Sequence, residues 1–179
     1  SINGGKLMSL SFDFSDDQNM MRDAIRTFCK EEIAPLVEEA EKTELNDANA
    51  MALASVDQAG MPNVRMVLLK EIDETGFIFY TNYNSVKATE IFDSGKVALV
   101  IHWKSLRRQI RVRGEVEKTS EEQADKYFNT RSLNSRYGAI ASEQSKPLSS
   151  RDELTKRVSA VMKSTSGNPE RPKYWGGFK

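Results

Sequence analysis

MALASVDQAGMPNVRMVLLKEIDETGFIFYT, residues 51–81, alternates three short runs rich in aliphatic, β-branched and aromatic residues with two stretches of turn chemistry. Met51–Val56, Asn63–Lys70 and Phe77–Thr81 read as strands. Between them, Asp57-Gln-Ala-Gly60 and Asp73-Glu-Thr-Gly76 each put Asp where a turn starts and Gly where positive φ is needed, which predicts an antiparallel meander. Val97–Trp103 and Gln109–Glu117 have the same strand character, and Ser85–Phe92 reads as a helix stopped at Asp93-Ser94-Gly95. Five short strands with interspersed helices predict an α+β fold, mainly antiparallel, built on a small β-barrel with flanking helices.

On the N-terminal side, Ser15 and Gln18 form a capping-box pattern, and Met21, Ala24, Ile25 and Phe28 recur at helical spacing. Pro35 is expected to break or re-aim this helix, and Ile33, Leu36, Val37 and Ala40 continue the apolar stripe in a second one. The expected organisation is a remnant at residues 1–7, ahead of Met8, a helical segment at 8–45, and the barrel domain at 46–179. On the C-terminal side, Ser120 with Gln123 and Ser150 with Glu153 open two more helices. The serine-rich stretch 132–150 between them reads as an ordered loop carrying a site, or as a flexible linker. The aromatic end, Tyr174–Phe178, is expected to pack against the rest of the fold.

Lys plus Arg and Asp plus Glu both total 26, so no global charge draws the chain to nucleic acid or membrane, and any anion must be held by a local cluster. One cysteine, Cys29, excludes an internal disulfide and multi-cysteine metal sites, and fits a cytoplasmic setting. One histidine, His102, excludes a two-histidine metal site. No apolar run approaches the roughly 20 residues of a membrane span. The Gly-rich dinucleotide fingerprint and the P-loop are both missing.

Four clusters carry possible chemistry. Arg65-Met-Val-Leu-Leu-Lys70 sets two cations in an apolar strand, which fits a bound phosphate or a solvated edge. Their opposite parity requires a bulge, a strand end or two ligands. Tyr80-Thr81 leads through Asn82-Tyr-Asn-Ser85 to Lys87, where a strand passes into a helix N-terminus. Thr81, Ser85 and Lys87 there would cradle a phosphate, or else Asn84 or Ser85 merely caps the helix. In Trp103–Arg113, Ile110 and Val112 face the core and Arg107, Gln109, Arg111 and Arg113 the other side, which suits a site or subunit interface better than a DNA track. Tyr127, Arg131 and Ser135 are spaced four apart and align in one stripe if the helix persists that far, offering a phenol, a guanidinium and a hydroxyl to a second phosphate.

Taken in order, Asn49-Ala-Met-Ala-Leu-Ala, Arg65–Lys70, Phe79-Tyr-Thr-Asn-Tyr83, His102–Gln109, Tyr127 through Arg131 to Ser135, Gln144-Ser145 and Trp175-Gly-Gly-Phe178 resemble the pyridoxamine 5′-phosphate oxidase family over Glu39–Lys179. The resemblance implies an FMN-binding split barrel acting as a homodimer with flavin sites between subunits. It implies FMN contacts from Arg65, Met66, Val67, Leu68, Lys70, Tyr80, Thr81, Ser85, Lys87, Gln109, Gln144 and Ser145. It gives the substrate phosphate to Lys70, Tyr127, Arg131 and Ser135. The implied reaction oxidises pyridoxamine or pyridoxine 5′-phosphate to pyridoxal 5′-phosphate, with O2 as acceptor and H2O2 released. A split-barrel reductase with another substrate is disfavoured by the Tyr127, Arg131, Ser135 trio.

Three features depart from the pattern. Val86 stands where the family usually has Arg beside the phosphate-binding lysine, which predicts weaker FMN retention. The family continues past Trp-Gly-Gly-Phe with an Arg-Leu-His-Asp-Arg segment that contacts substrate and flavin and is not in this sequence, so the alternative expectation is a noncatalytic FMN- or pyridoxal-phosphate-binding protein. Residues 12–37 resemble the opening helix of acyl-CoA dehydrogenases over that one amphipathic helix.

Overall fold

The computed structural model describes residues 16–43, 48–73 and 76–179. The Ser15–Gln18 capping pattern and parts of the two expected boundary and turn segments lie outside them. Six strands form one antiparallel sheet: β1 (Ala50–Val56), β2 (Pro62–Asp73), β3 (Gly76–Asn82), β4 (Lys96–Trp103), β5 (Arg108–Glu115) and β6 (Trp175–Phe178), in the order β5-β4-β1-β2-β3-β6. The free edge of β6 is bonded back to the chain that follows β5: Thr119 N–H donates to Gly177 O, and Glu117 and Lys179 exchange backbone hydrogen bonds. The sheet is thereby curled towards a barrel.

The expected meander is present. Asp57 accepts from the N–H groups of Ala59 and Met61 through one carboxylate oxygen, and Gly60 takes φ +82°, a conformation that a Cβ would strain. Inward residues of β1, Met51 and Leu53, pack with Leu69, Phe79, Leu99, Ile101, Trp103 and Phe178. Trp103 anchors its indole N–H on Ala48 O at 2.7 Å.

Helices α1 (Asp16–Phe28) and α2 (Ala34–Thr43) are joined by a π-helical turn, Cys29–Ile33. The break expected at Pro35 is thus absorbed without leaving helical geometry: Ala34 N–H bonds Cys29 O, and the widened turn accommodates a residue that has no N–H of its own. Helix α3 (Val86–Ser94) follows β3 and stops at Gly95, φ +62°, as its sequence predicts.

Two expectations need correction. Residues 132–150 are not one loop, since α5 (Leu133–Ala141) occupies half of them, capped by the Ser132 hydroxyl. Only 142–150 is irregular before α6 (Arg151–Ser164). The single stripe through Tyr127, Arg131 and Ser135 also fails, because α4 (Glu121–Thr130) ends before Arg131, whose backbone is extended. Ser132 competes for the next N–H groups and starts a new helix there.

The terminal aromatics form β6, and the glycines within it serve close packing. A Cβ on Gly177 would lie 2.7 Å from Thr119 and 2.8 Å from the Tyr80 ring. Gly177→Ala is expected to lower stability by about 1–3 kcal/mol through this overpacking, read as a drop in thermal midpoint. Among the described residues no helix is long and apolar enough to cross a membrane.

Candidate active site

A cavity of about 350 Å³ lies where β2, β3, α3, the C-terminal end of α4 and the chain after α5 converge. From β2 it takes Met66, Val67, Leu68 and Lys70, from β3 Tyr80, Thr81 and Asn82, and from α3 Lys87. Tyr127 and Arg131 close it on one side, Ser142 and Gln144 on another, and Trp175 forms part of the wall. Lys70, Lys87 and Arg131 are cations, and among the described residues no carboxylate lines the space. Such a lining favours an anion.

The β2–β3 register shifts between Leu69 and Glu71, so Lys70 sits at a bulge. The parity conflict between Arg65 and Lys70 is resolved there: the bulge re-aims the strand and frees the two cations to serve different places.

Lys87 is 7% exposed. Its Nζ donates to Thr81 Oγ1 at 3.0 Å, Ser85 Oγ at 3.2 Å and Gln144 Oε1 at 3.0 Å, all neutral oxygens. Burial, then the nearby Arg65 charge, lowers its pKa from 10.5 to about 8, with Glu90 partly opposing. Ser85 holds the N-cap position of α3 but does not cap it; its hydroxyl donates to Asn82 O and accepts from Lys87. The side-chain cap expected as one alternative for that residue is therefore not made, and its hydroxyl accepts from Lys87 instead. The irregular chain after α5 lies across this end of the cavity: Asn82 Nδ2 donates to Ser142 O, and Val86 N–H to Ser145 Oγ.

At the other end, the Arg131 guanidinium lies 4.8 Å above the Trp175 ring, and its Nη1 is buried without a partner. Burial lowers its pKa, with Tyr127 acting in the opposite sense. The Tyr80 and Tyr127 rings stack at 3.9 Å.

Other sequence candidates fall outside the lining. Arg65 points to Glu90, Ser55 and Leu53 O. Gln109 lies on exposed β5, separated from β2 by β4 and β1. Ser135 is exposed at the start of α5 and bonded to Ser132. The buried Glu90 and the half-buried Glu71, both bonded to candidate site residues, were not singled out from sequence. For Glu90, its position one helical turn after Lys87 is the signal that could have found it. A larger cavity of about 440 Å³, beneath Ile25 and Cys29, has Phe77, Phe79, Val97, Leu99 and Val112 in its wall. Of its charged residues, Arg113, Glu115 and Glu117 are exposed, and Lys179 pairs with Glu117.

The model of the pyridoxamine 5′-phosphate oxidase family matches residues 37–163. The chain belongs to this family. It is 62% identical over 141 residues to a pyridoxine/pyridoxamine 5′-phosphate oxidase of Cereibacter sphaeroides, covering 79% of this chain and 70% of that protein. A protein of the same description from Brucella canis is 52% identical over 166 residues, 92% of this chain and 79% of its own length. Among solved structures, PhzG from Burkholderia lata in complex with tetrahydrophenazine-1-carboxylic acid superposes with a TM-score of 0.76 at 24% identity, over 82% of this chain and 72% of that one. A pyridoxamine 5′-phosphate oxidase-related, FMN-binding protein from Nostoc punctiforme gives 0.64 at 16% identity, over 82% and 78%. Both likenesses place this oxidase-family chain in the split-barrel fold.

Proposed function

We propose that the chain binds FMN in this cavity and oxidises pyridoxamine or pyridoxine 5′-phosphate to pyridoxal 5′-phosphate with O2, in the cytoplasm. The observation that carries the reading is a cavity with three cations and, among the described residues, no acid, whose Lys87 ammonium is buried against neutral oxygens alone. A buried ammonium without a counter-charge is poorly stabilised, and a phosphate supplies what is missing. The family's cofactor, FMN, fits that donor set.

Lys87, Thr81 and Ser85 would hold the flavin phosphate, with Gln144 and Ser145 closing over it and Met66–Leu68 alongside. Arg131, whose buried Nη1 has no partner, would hold the substrate phosphate with Lys70 and Tyr127. When bound, FMN would supply the redox chemistry, by which two electrons and two protons pass from the C4′ end of the substrate to O2 to give H2O2, the alcohol becoming the aldehyde directly and the amine becoming an imine that water hydrolyses with loss of ammonia. The protein groups orient the two ligands and neutralise their phosphates, so the barrier is lowered through placement and fixed charge. Val64, Met66 and Leu68 present an exposed apolar row on β2 next to the cavity, which supports a homodimer whose partner covers it and brings its own Gln109 to the flavin.

Purified protein carrying a flavin absorbance band and releasing peroxide on addition of pyridoxine 5′-phosphate meets the proposal. Yellow protein that releases no peroxide reduces it to a binding protein, and protein that ignores added FMN overturns it. Val86 is half-exposed at the start of α3, where a longer basic side chain adds a cation to the flavin-phosphate end. Val86→Arg is expected to tighten FMN binding by about tenfold, as one added charge-assisted hydrogen bond would, measured by fluorescence titration.

A further inference from the structure

Helix α4 brings Tyr127 to the cavity and ends just before Arg131; its buried Ala124 and Phe128, the latter edge-on to Trp175, seat it on the fold, and polar contacts fix it on either side. It packs mainly on β6. Along one side, Arg171 ties it down through Glu121 and Asp125. On the side that carries Tyr127, one carboxylate does the equivalent work. Glu71 Oε1 accepts the phenol proton of Tyr80 at 2.7 Å, and Glu71 Oε2 accepts from Gln123 Nε2 at 3.0 Å. Gln123 lies one helical turn before Tyr127 on α4, so the two share a face. Tyr80 in turn stacks on Tyr127, with the ring planes 9° apart, and on Trp175 at 5.6 Å.

We propose that Glu71 is a positioning residue for the substrate-phosphate end of the cavity, fixing Tyr127 and Arg131 by clamping α4 through Gln123 and the stacked face of Tyr80. The proposal rests on the functional reading above. Both lobes of the carboxylate are committed, one to a strand and one to a helix, so three elements meet on a single side chain. With its phenol proton given to Glu71, Tyr80 serves the cavity as a flat support for Tyr127 instead of a donor into it. The flavin-phosphate cradle of Lys87, Thr81 and Gln144 has its own hydrogen bonds and does not pass through Glu71. Removing the clamp therefore separates the two ends of the cavity in their response.

The test compares wild type, Glu71→Ala and Glu71→Gln, each loaded with FMN and titrated with pyridoxal 5′-phosphate, with FMN affinity measured separately on the FMN-free proteins. Glu71→Ala is expected to weaken pyridoxal 5′-phosphate about tenfold and leave FMN affinity within about twofold, the scale of one lost hydrogen-bonded anchor. Glu71→Gln is expected to restore wild-type binding: its amide oxygen accepts from Tyr80, and Gln123 has only to exchange its amide oxygen and nitrogen to accept in return. Unchanged pyridoxal 5′-phosphate binding in Glu71→Ala, a parallel loss of both ligands, or failure of Glu71→Gln to rescue overturns the role of Glu71. Wild-type protein that binds neither ligand overturns the functional reading instead.

Discussion

Lys87→Met is expected to weaken FMN binding by about 30- to 100-fold while leaving the FMN-free protein at least as stable at neutral pH. The affinity loss is that of a buried, charge-assisted contact to phosphate, about 2–3 kcal/mol. Stability moves the other way because Lys87 is 7% exposed and donates to the neutral oxygens of Thr81, Ser85 and Gln144. An apolar side chain of similar length removes an unpaired cation from a poorly solvated place. The pH dependence follows from a pKa lowered to about 8 from 10.5. Below about 8 the lysine is charged both folded and unfolded. Between 8 and 10.5 the unfolded chain binds more protons, so stability of the FMN-free wild type rises with pH across that window. FMN binding has the opposite trend: it requires the ammonium, so affinity falls as pH rises past about 8. Lys87→Met should show neither slope. Equal FMN affinity in wild type and variant, or a flat wild-type profile between pH 7 and 10, would remove Lys87 from the phosphate site.

What was legible in the sequence is what short-range chemistry decides. Asp57 and Gly60 specify their turn through bonds within four residues, Gly95 ends α3 by its own φ, and period-two alternation puts Met51 and Leu53 inside while Gln109 and Arg111 face out. The cations of the cavity were legible for a related reason. Lys70, Lys87 and Arg131 stand among apolar or turn residues where a charge needs a partner. Events that depend on competition between local signals were not readable: the spacing of Tyr127, Arg131 and Ser135 suits one helix, but Ser132 caps a new one and ends that continuity. Nor were the acids. Glu71 looks like an ordinary surface residue until the fold brings Gln123 to it across 52 residues, and the spacing of Glu90 from Lys87 gives no sign of the Arg65 that the fold brings to it across 25. Arg65 itself shows the limit most clearly. Sequence marks it as a cation in search of an anion, and in the structure an anion from its own chain is already there.

Removing the acid of that internal pair is expected to cost more stability than the substitutions argued above. Glu90 is 6% exposed and accepts from Arg65 Nη2 at 2.9 Å, from Asn63 Nδ2 at 3.0 Å and from the Ser55 hydroxyl, while Arg65 Nη1 also donates to Ser55 and to Leu53 O. Glu90→Ala leaves the guanidinium poorly solvated and uncompensated and strands two polar partners, a loss of about 3–5 kcal/mol. Glu90→Gln keeps an acceptor and should lose less, and replacing both Arg65 and Glu90 by Met should recover much of the loss, since no charge is then left buried. Burial raises the Glu90 pKa, but the hydrogen bonds from Asn63, Ser55 and Arg65 and the Arg65 charge outweigh it and bring it below 4.5. The stabilisation is therefore complete above about pH 4.5 and is lost as pH falls through the lower folded value, a slope that Glu90→Ala should lack. Denaturant unfolding of the four proteins between pH 3 and 8 measures both effects. Similar stability of Glu90→Ala and wild type would mean that the pair is idle. Because Glu90 also raises the Lys87 pKa against the Arg65 charge, its removal should move the upper pH limit of FMN binding downward. The same carboxylate then governs how firmly the barrel holds Arg65 and over what pH range the neighbouring lysine keeps the proton that the proposed phosphate contact would need.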